Sequence, residues 1–219
     1  MRSSRLLAAL LAVAALASPG DTLYPRAIHA PPRPDGRLDS LAWGAPQVRI
    51  PVGQGTASVW LLRAADSLFI AIAVPDATPS WTDAVALCFD VTGDGGPAPG
   101  HDDFQWSLRR VLDSSVVYRG RNGRWEPPLD DPDWRLGPDH SGGGWSVTSA
   151  GDARGWTVVM RMDLAWLEGA AGRRPAVGFR VHDDDPNGWY PWPDPHASAG
   201  ATLMERTPAL WVPIGAESP

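Results

Sequence analysis

The chain has 219 residues, of which 43% are hydrophobic and 20% are charged, and its formal net charge at pH 7 is −6. This apolar content suffices for one hydrophobic core and excludes extended disorder, while the acidic charge makes nucleic acid an unexpected partner. Glycine and proline number 23 each, which argues against a helical bundle and favours short strands joined by turns.

The N-terminal residues have the pattern of a cleavable signal peptide. Arg2 and Arg5 precede an apolar run, Leu6–Ala17, which ends in the small-x-small sequence Ala15-Leu16-Ala17. The run is shorter than the roughly 20 apolar residues that a membrane span needs. We therefore expect a signal peptide at residues 1–17, cleavage after Ala17, and a secreted or periplasmic protein that does not insert into a membrane.

Beyond the signal peptide, we expect an extended, proline-containing leader at residues 18–34 and one domain at residues 35–215. Short apolar runs with turn residues between them recur throughout this domain. In the run Ser67–Val74 both faces are apolar, which predicts a central strand that is covered on both sides. The predicted strands are Ala57–Arg63, Ser67–Val74, Asp83–Asp90, Asp103–Leu108, Ser114–Arg119, Trp145–Ser149, Trp156–Met162, Val177–His182 and Leu210–Ile214.

Eight or nine strands with almost no helix predict an all-β fold, an antiparallel β-sandwich of the immunoglobulin or jelly-roll kind. One short helical turn is expected at Asp163–Glu168, where Asp163 can act as the N-cap. The segment Gly120–Gly144 is rich in proline, glycine and aspartate and is interpreted as one long loop within the domain.

Several short motifs follow one another along the predicted strands in a fixed order. They are Asp35-Gly36-Arg37-Leu38-Asp39 followed by Trp43; Pro75-Asp76; Trp81-Thr82-Asp83-Ala84-Val85; His101-Asp102-Asp103-Phe104-Gln105; Gly155-Trp156-Thr157-Val158 leading to Met162-Asp163-Leu164-Ala165-Trp166; Val177-Gly178-Phe179 with Asp183–Asp185; Trp192-Pro193-Asp194-Pro195; and the final run Pro208–Ile214.

In this order the motifs resemble the family 9 carbohydrate-binding module, a β-sandwich related to DOMON-type domains, over roughly residues 30 to 214. The resemblance implies a non-catalytic domain that binds an oligosaccharide or polysaccharide and needs no organic cofactor. It also implies a role in polysaccharide recognition or catabolism, beside a glycoside hydrolase that is supplied in trans.

Trp81 is the first candidate sugar-binding residue. It lies in a turn between two predicted strands, and the apolar face of an exposed indole suits the C–H side of a pyranose ring. By resemblance, Trp81 matches a stacking tryptophan of the sugar-binding members, and Asp83 lies in the same motif. The alternative is that Trp81 packs beneath its own loop.

A second group of candidates, Trp189, Tyr190 and Trp192, follows the acidic turn Asp183–Asp185. Aromatic side chains next to acidic turn residues are typical of a sugar-facing loop. The alternative is a hairpin whose aromatic residues seal one end of the sandwich.

The segment that starts at Asp90 begins like a calcium loop, with oxygen side chains at alternate positions and a glycine at the sixth. The twelfth residue is His101 where an EF-hand has glutamate, so the segment is not an EF-hand. Hard cations take several oxygen ligands, and loops of the family often hold structural calcium. The candidate ligands are Asp90, Asp94, Asp102 and Asp103, and the alternative is that these residues only make turns.

The resemblance also implies polar residues that this sequence lacks. Ala86 stands where sugar-binding members have a carboxylate, and Ser107 stands where they have a basic residue. A second stacking tryptophan has no counterpart near Met204-Glu205. Either the ligand differs, or the loop Gly120–Gly144, with Trp125 and Trp134, rebuilds the site.

Two other classes of function remain open from the sequence. DOMON-type relatives include haem-binding redox subunits, for which Met160 or Met162 with His182 would be the candidate ligands. The third possibility is a structural or partner-binding sandwich without a small ligand, in which the tryptophans only support the fold.

Overall fold

The structure is a computed structural model that describes residues 22–33, 35–53, 55–127, 141–142, 144–165, 174–184, 187–193 and 205–215. Its strands are β1 (Arg26–Ala27), β2 (Val48–Val52), β3 (Gly55–Ala64), β4 (Ser67–Pro75), β5 (Ala84–Asp90), β6 (Asp103–Arg109), β7 (Val116–Arg121), β8 (Arg124–Glu126), β9 (Ser141–Gly142), β10 (Trp145–Asp152), β11 (Gly155–Asp163), β12 (Ala176–Asp184), β13 (Asn187–Trp192) and β14 (Val212–Pro213). The structure also has the helix α1 (Ser40–Trp43) and two short 3₁₀ turns, Leu112–Ser114 and Pro208–Leu210.

The described strands form two sheets of seven strands each. The first sheet has the order β1-β3-β4-β11-β10-β9, with β2 also paired to β3. The second sheet has the order β13-β12-β5-β6-β7-β8, with β14 paired to β12. The described ladders are antiparallel except for the short parallel pair of β1 with β3.

Alternation along the strands places the core between the two sheets. On β5, Val85, Leu87 and Phe89 belong to the main core cluster, together with inward residues of β4 and β11. The residues between them on β5 point to the other face of the second sheet, because successive side chains of a strand alternate. The two sheets therefore pack as a β-sandwich, which confirms the predicted fold class.

The central strand β4 is covered on both faces, as its sequence predicts. Ile70 lies in the core between the sheets, whereas Phe69 and Ala71 lie in a second buried cluster on the outside of the first sheet. Trp43 of α1 fills this second cluster and is buried. This outer cover allows both faces of one strand to be apolar.

Helix α1 was not among the predicted elements. The Asp39 carboxylate accepts a hydrogen bond from the Leu41 N–H at 2.9 Å, and the Trp43 N–H donates to the Asp39 carbonyl at 2.9 Å. This is the geometry of an N-cap aspartate. The predicted turn at Asp163–Glu168 is described only as far as Ala165, and its remaining residues lie outside the described part of the chain.

The described part of the predicted leader, residues 22–33, pairs with the domain. Leu23 is buried and forms a parallel bridge with Ile214, and β1 pairs with β3. The packed unit therefore starts before residue 35, where the sequence analysis placed the domain boundary. The predicted signal peptide lies outside the described residues, and none of the helices in the described part is long and apolar enough to cross a membrane.

The predicted loop Gly120–Gly144 begins with regular structure. Strands β7 and β8 form a hairpin through Asn122 and Gly123, both of which have positive φ angles. Such angles are typical of tight hairpin turns. Trp134 lies outside the described residues, so its predicted role stays a prediction.

Candidate functional site

One row of side chains crosses the outward face of the second sheet next to the loop that carries Trp81. The strand register aligns Trp189 with His182, His182 with Ala84, and Ala84 with Arg109. The loop of residues 76–83 enters this row directly, because Asp83 immediately precedes β5. The outward-facing residues of this row, one from each of four neighbouring strands, therefore form one surface with the Trp81 loop.

The Trp81 side chain lies in solvent. The residue is 78% exposed, which is rare for a tryptophan, since an indole exposes a large apolar area. The exposure excludes the alternative that Trp81 packs beneath its own loop. Its indole is free to contact a ligand.

The loop beneath Trp81 is fixed by Asp83, whose carboxylate is buried. One carboxylate oxygen accepts from the Ser80 N–H at 2.6 Å and the other from the Asp184 N–H at 3.2 Å. Burial raises the pKa of Asp83 above its ordinary value, and the nearby Asp76 carboxylate adds to the effect. Asp83 was predicted to bind the substrate, but it lies below the surface and instead positions the loop.

Two side chains hold the backbone next to Trp81 from the neighbouring strands. The Thr82 carbonyl accepts a hydrogen bond from Nη1 of Arg109 at 2.6 Å and lies 3.0 Å from Nδ1 of His182. The Arg109 guanidinium carbon lies 6.0 Å from the centroid of the Trp81 ring. The loop is thereby held against the sheet, so Trp81 is exposed on a supported backbone.

Trp189 is the second exposed indole of this surface. It is 43% exposed, and its ring centroid lies 4.1 Å from that of His182. The guanidinium carbon of Arg180 lies 3.7 Å from the Trp189 centroid, a close cation–π contact. Because His182 contacts both Trp189 and the Thr82 carbonyl, the two exposed tryptophans flank one small area.

The prediction that Trp192 faces a ligand is wrong. Residues Asn187–Trp192 form a strand, so Trp189 and Trp192 point to opposite faces. Trp192 is 5% exposed and packs in the core with its ring centroid 5.5 Å from that of Phe179. Tyr190 is aligned with Val181 on the same inward face and is only partly buried against the core, so it also does not share the Trp189 surface.

The middle of the outward face is occupied by a polar network. Arg180 forms an ion pair with Glu205, and the Gln105 side-chain amide donates to the other Glu205 oxygen at 2.6 Å. Burial lowers the pKa of Arg180, although the Glu205 carboxylate opposes this effect. These three residues and Arg109 were not among the predicted site residues. The alternation of Val177–His182 could have placed Arg180 on this face, whereas Glu205 carried no signal.

Two more aromatic side chains cover the far end of this face. Trp125 and Trp211 stack with their planes 6° apart and their centroids 6.3 Å apart, and the Trp125 Nε1–H donates to the Glu205 carbonyl at 3.2 Å. Both belong to a buried cluster with Cys88. Burial raises the pKa of the Cys88 thiol, as expected for an unreactive cysteine.

The predicted calcium ligands lie at this same far end. Asp90, Asp94 and Asp102 each offer an oxygen, and the three oxygens lie within 4.8 Å of one another. Asp90 also accepts from the N–H groups of Gly93 at 2.6 Å and Gly95 at 2.9 Å, which shape the loop.

Asp103 adds an independent observation at this cluster. It is 3% exposed, and its Oδ1 has no hydrogen-bond partner among the described residues. Burial raises its pKa to about 8, and the carboxylates of Asp90, Asp102 and Asp94 add to the effect. The three clustered oxygens are ligands of the kind that calcium takes, and Asp103 is a fourth carboxylate close enough to interact with them electrostatically.

The haem alternative is not supported by the geometry. Met160 and Met162 lie in the core on β11 of the first sheet. His182 lies on β12 of the second sheet, where it contacts Thr82 and Trp189 on the outward face. The sulfur and nitrogen ligands are therefore on opposite sides of a sheet and do not form one axial pair.

Solved structures with the same architecture are known. The chain aligns with a family 9 carbohydrate-binding module from Caldicellulosiruptor kristjanssonii, solved in complex with cellotriose, at a TM-score of 0.59 and 16% identity; the alignment covers 91% of this chain and 95% of the module. The fold is that of a family 9 carbohydrate-binding module. A structure from the same organism in complex with glucose aligns at a TM-score of 0.57 and 15% identity, covering 90% of this chain and 97% of the other. No protein-family model and no curated protein matches the sequence.

This family 9 fold carries polar neighbours that differ from those implied by the resemblance. Ala86 and Ser107 are cross-strand partners of each other, and Ala86 also pairs with Arg180. The polar side chains near the exposed indoles are therefore Arg109, His182 and the Arg180–Glu205 pair.

Proposed function

We propose that this chain is an exported, non-catalytic carbohydrate-binding module that binds an oligosaccharide or a polysaccharide end or segment. The observation that carries the proposal is the exposed Trp81 indole on a supported loop, with the exposed Trp189 next to it. The family 9 fold supports the same function, since both aligned modules were solved with a sugar bound.

The chemistry of the surface suits a sugar. An indole offers an apolar face to the C–H groups of a pyranose, and hydrogen-bond donors around it can reach the hydroxyl groups. Arg109 and His182 place nitrogen atoms at the edge of the Trp81 loop. The Cys88 thiol is unsuited to act as a nucleophile, because it is buried and its pKa is raised.

Binding of cellotriose to the wild-type protein and to Trp81→Ala, measured by isothermal titration calorimetry, tests the proposal. We expect Trp81→Ala to weaken binding about tenfold or more, because an indole that covers a sugar removes apolar surface from water. Leu41→Ala is a matched control, since Leu41 is 90% exposed but lies on helix α1, which packs outside the first sheet.

Stability measurements separate the binding module from a purely structural sandwich. The Trp81 side chain is largely exposed to solvent and is not part of the core. Trp81→Ala should therefore leave the free energy of unfolding nearly unchanged. Wild-type protein that binds no glycan in a broad screen would contradict the proposal.

We further propose that residues 1–17 direct export and are removed after Ala17, and that the module serves a polysaccharide-degrading hydrolase in trans. The support is the Arg2 and Arg5 start, the apolar run and the small-x-small site. Mass spectrometry of protein recovered from the medium or periplasm of a bacterial host should give a mature N-terminus at Ser18.

A structural calcium ion is proposed at the cluster of Asp90, Asp94, Asp102 and Asp103. Its support is the oxygen cluster together with the buried, unpartnered Asp103 Oδ1. The cluster is at the far end of β5 from Ala84, so calcium would stabilise the fold and leave the sugar surface untouched. We expect calcium on the order of 1 mM to raise the melting temperature of the wild-type protein, and a chelator to lower it. The melting temperature of Asp94→Asn should not change with calcium. A shift in that variant equal to the wild-type shift would contradict the site.

A further inference from the structure

Among the described residues, Arg109 differs from Arg180 of the same surface in forming no ion pair. Its described contacts are the Thr82 carbonyl and the Trp81 ring, and none of the ion pairs among the described residues includes it. The guanidinium group has five N–H donors, and one of its nitrogens makes the single hydrogen bond to Thr82. Several donors of a fixed positive charge therefore remain next to an exposed indole.

Two of the carboxylates around this surface are already committed elsewhere. Asp83 is buried and accepts two backbone N–H groups, and Glu205 is paired with Arg180 and Gln105. The strand positions aligned with Arg109 and with its neighbour two residues back are Ala84 and Ala86, which carry no charge.

Asp184 is a further acidic residue at this end, and it is exposed. It accepts a hydrogen bond from the Ser80 hydroxyl at 3.1 Å and forms no ion pair among the described residues. Its position beside Ser80 gives the matched variant for the experiment below, because its removal should act in the opposite direction to removal of Arg109.

We propose that the preferred ligand is an acidic saccharide whose uronate carboxylate binds Arg109 while its pyranose ring lies on Trp81. The proposal rests on the proposed sugar-binding function and adds the charge of the ligand. A uronate is a sugar with a planar carboxylate attached to its ring. A guanidinium group binds such a carboxylate through two parallel N–H donors. A neutral hexose would use the same indole but would leave the charge of Arg109 without a partner.

The position of Arg109 favours an acid that is attached directly to the stacked ring. The guanidinium carbon lies over the Trp81 ring, 6.0 Å from the ring centroid, so the cation is next to the indole that the sugar would contact. The C5 carboxylate of a uronic acid projects from the ring edge, where it can reach such a group. An acidic group joined to the sugar through a long flexible linker would not need a cation so close to the indole.

The first experiment uses the wild-type protein and four ligands, two acidic and two neutral. The acidic ligands are trigalacturonate and the glucuronate trisaccharide, and the neutral ligands are the methyl ester of trigalacturonate and cellotriose. Each ligand is titrated by calorimetry at low ionic strength. We expect at least one of the two acidic trisaccharides to bind about tenfold or more tightly than the neutral ligands, since a charge-assisted hydrogen bond contributes that much. Added salt should reduce the difference.

The second experiment uses variants of the same surface. Arg109→Gln should bring the ratio of the affinities for the acid and for the methyl ester close to one, while Arg109→Lys should keep part of the preference. Asp184→Asn should strengthen binding of the acid. Arg49→Gln removes the same charge from an exposed position on β2 of the other sheet and should change neither affinity.

The outcomes separate the two proposals. Wild-type protein that binds cellotriose and the methyl ester as tightly as both acids would overturn the acidic ligand and leave sugar binding in place. Protein that binds none of the four ligands would overturn sugar binding itself. A preference for the acid that persists in Arg109→Gln would overturn the role of Arg109.

Discussion

Arg180 and Glu205 form an ion pair with little access to water, since their side chains are 11% and 15% exposed. Gln105 completes the hydrogen bonding of Glu205, whereas Nε of Arg180 has no partner among the described residues. The pair also supports Trp189, because the guanidinium group lies against its ring. A charge in such a position depends strongly on its partner.

Removal of Glu205 should therefore destabilise the protein. We expect Glu205→Ala to cost about 3 kcal/mol in the free energy of unfolding, because it leaves the Arg180 charge buried and unpaired. Urea unfolding followed by circular dichroism measures the change. The double variant with Arg180→Met should recover part of the loss.

The exposed pair of Asp152 and Arg154 provides the control for this prediction. Its side chains are largely in solvent, and exposed ion pairs contribute little to stability. Asp152→Ala should leave the unfolding curve nearly unchanged. A Glu205→Ala curve that also matched the wild type would show that the buried pair makes no net contribution.

Asp83 should make the stability depend on pH. Burial raises its folded pKa above the ordinary value of 3.8, so the folded state binds the proton more tightly than the unfolded state. The resulting stabilisation is complete at low pH and is lost as the pH rises through the raised pKa. We expect the free energy of unfolding to fall with a shallower slope in Asp83→Asn than in the wild type when both are measured from pH 4 to 8.

The comparison of slopes isolates Asp83 from the other carboxylates. Asp66→Asn is a suitable control, since that residue is exposed in the turn between β3 and β4 and should keep the wild-type slope. An Asp83→Asn slope equal to that of the wild type would contradict a raised pKa for Asp83.

The turn position of Trp81 predicted that its side chain is exposed, but the sequence could not distinguish exposed from buried residues among the other aromatics. Trp189 and Trp192 are three residues apart and equally apolar, so only their strand register separates the exposed ring from the buried one. The polar neighbours were harder still. Arg180 meets Glu205 across 25 residues, and no local pattern marks such a contact.

Strand β13 decides which aromatic side chains reach the surface. The segment reads Asn-Gly-Trp-Tyr-Pro-Trp and follows Asp-Pro, so its composition indicates a turn. Its pairing with β12 overrides that local signal, because Trp192 lies in the core and Tyr190 packs against it. Long alternating strands such as β4 and β11 were predictable for the opposite reason, since their own patterns agree with their environment.

The two faces of β13 give a paired prediction. Trp192→Ala should destabilise the protein by about 3–5 kcal/mol, because it leaves a large cavity beside Phe179. Trp189→Ala should destabilise it far less but weaken sugar binding, because the ring is 43% exposed. Thermal unfolding and calorimetric titration of both variants check the pair, and equal losses of stability would contradict the register.

The sandwich is completed by the leader, which joins both sheets. β1 pairs with β3 of the first sheet, while Leu23 bridges to Ile214, next to β14 of the second sheet. The sequence predicted an extended leader from its prolines. It did not reveal the pairing, because short extended segments carry no periodicity that identifies a partner.

Deletion of the leader should destabilise the whole domain. We expect a chain that begins at Asp35 to lose about 2 kcal/mol relative to one that begins at Thr22, since Leu23 loses its buried environment. Chemical unfolding of the two chains measures the difference. Equal stabilities would restore the predicted boundary at residue 35.

The bridge between Leu23 and Ile214 also brings the first and last described parts of the chain side by side. They meet where β14 pairs with Ala176 at the start of β12, whereas His182 and the Trp81 loop lie six residues further along that strand, about 20 Å away. A resin or a fluorescent reporter attached at Thr22 or at Gly215 would therefore lie away from the exposed indoles. Immobilisation through either residue should leave the proposed sugar surface unobstructed.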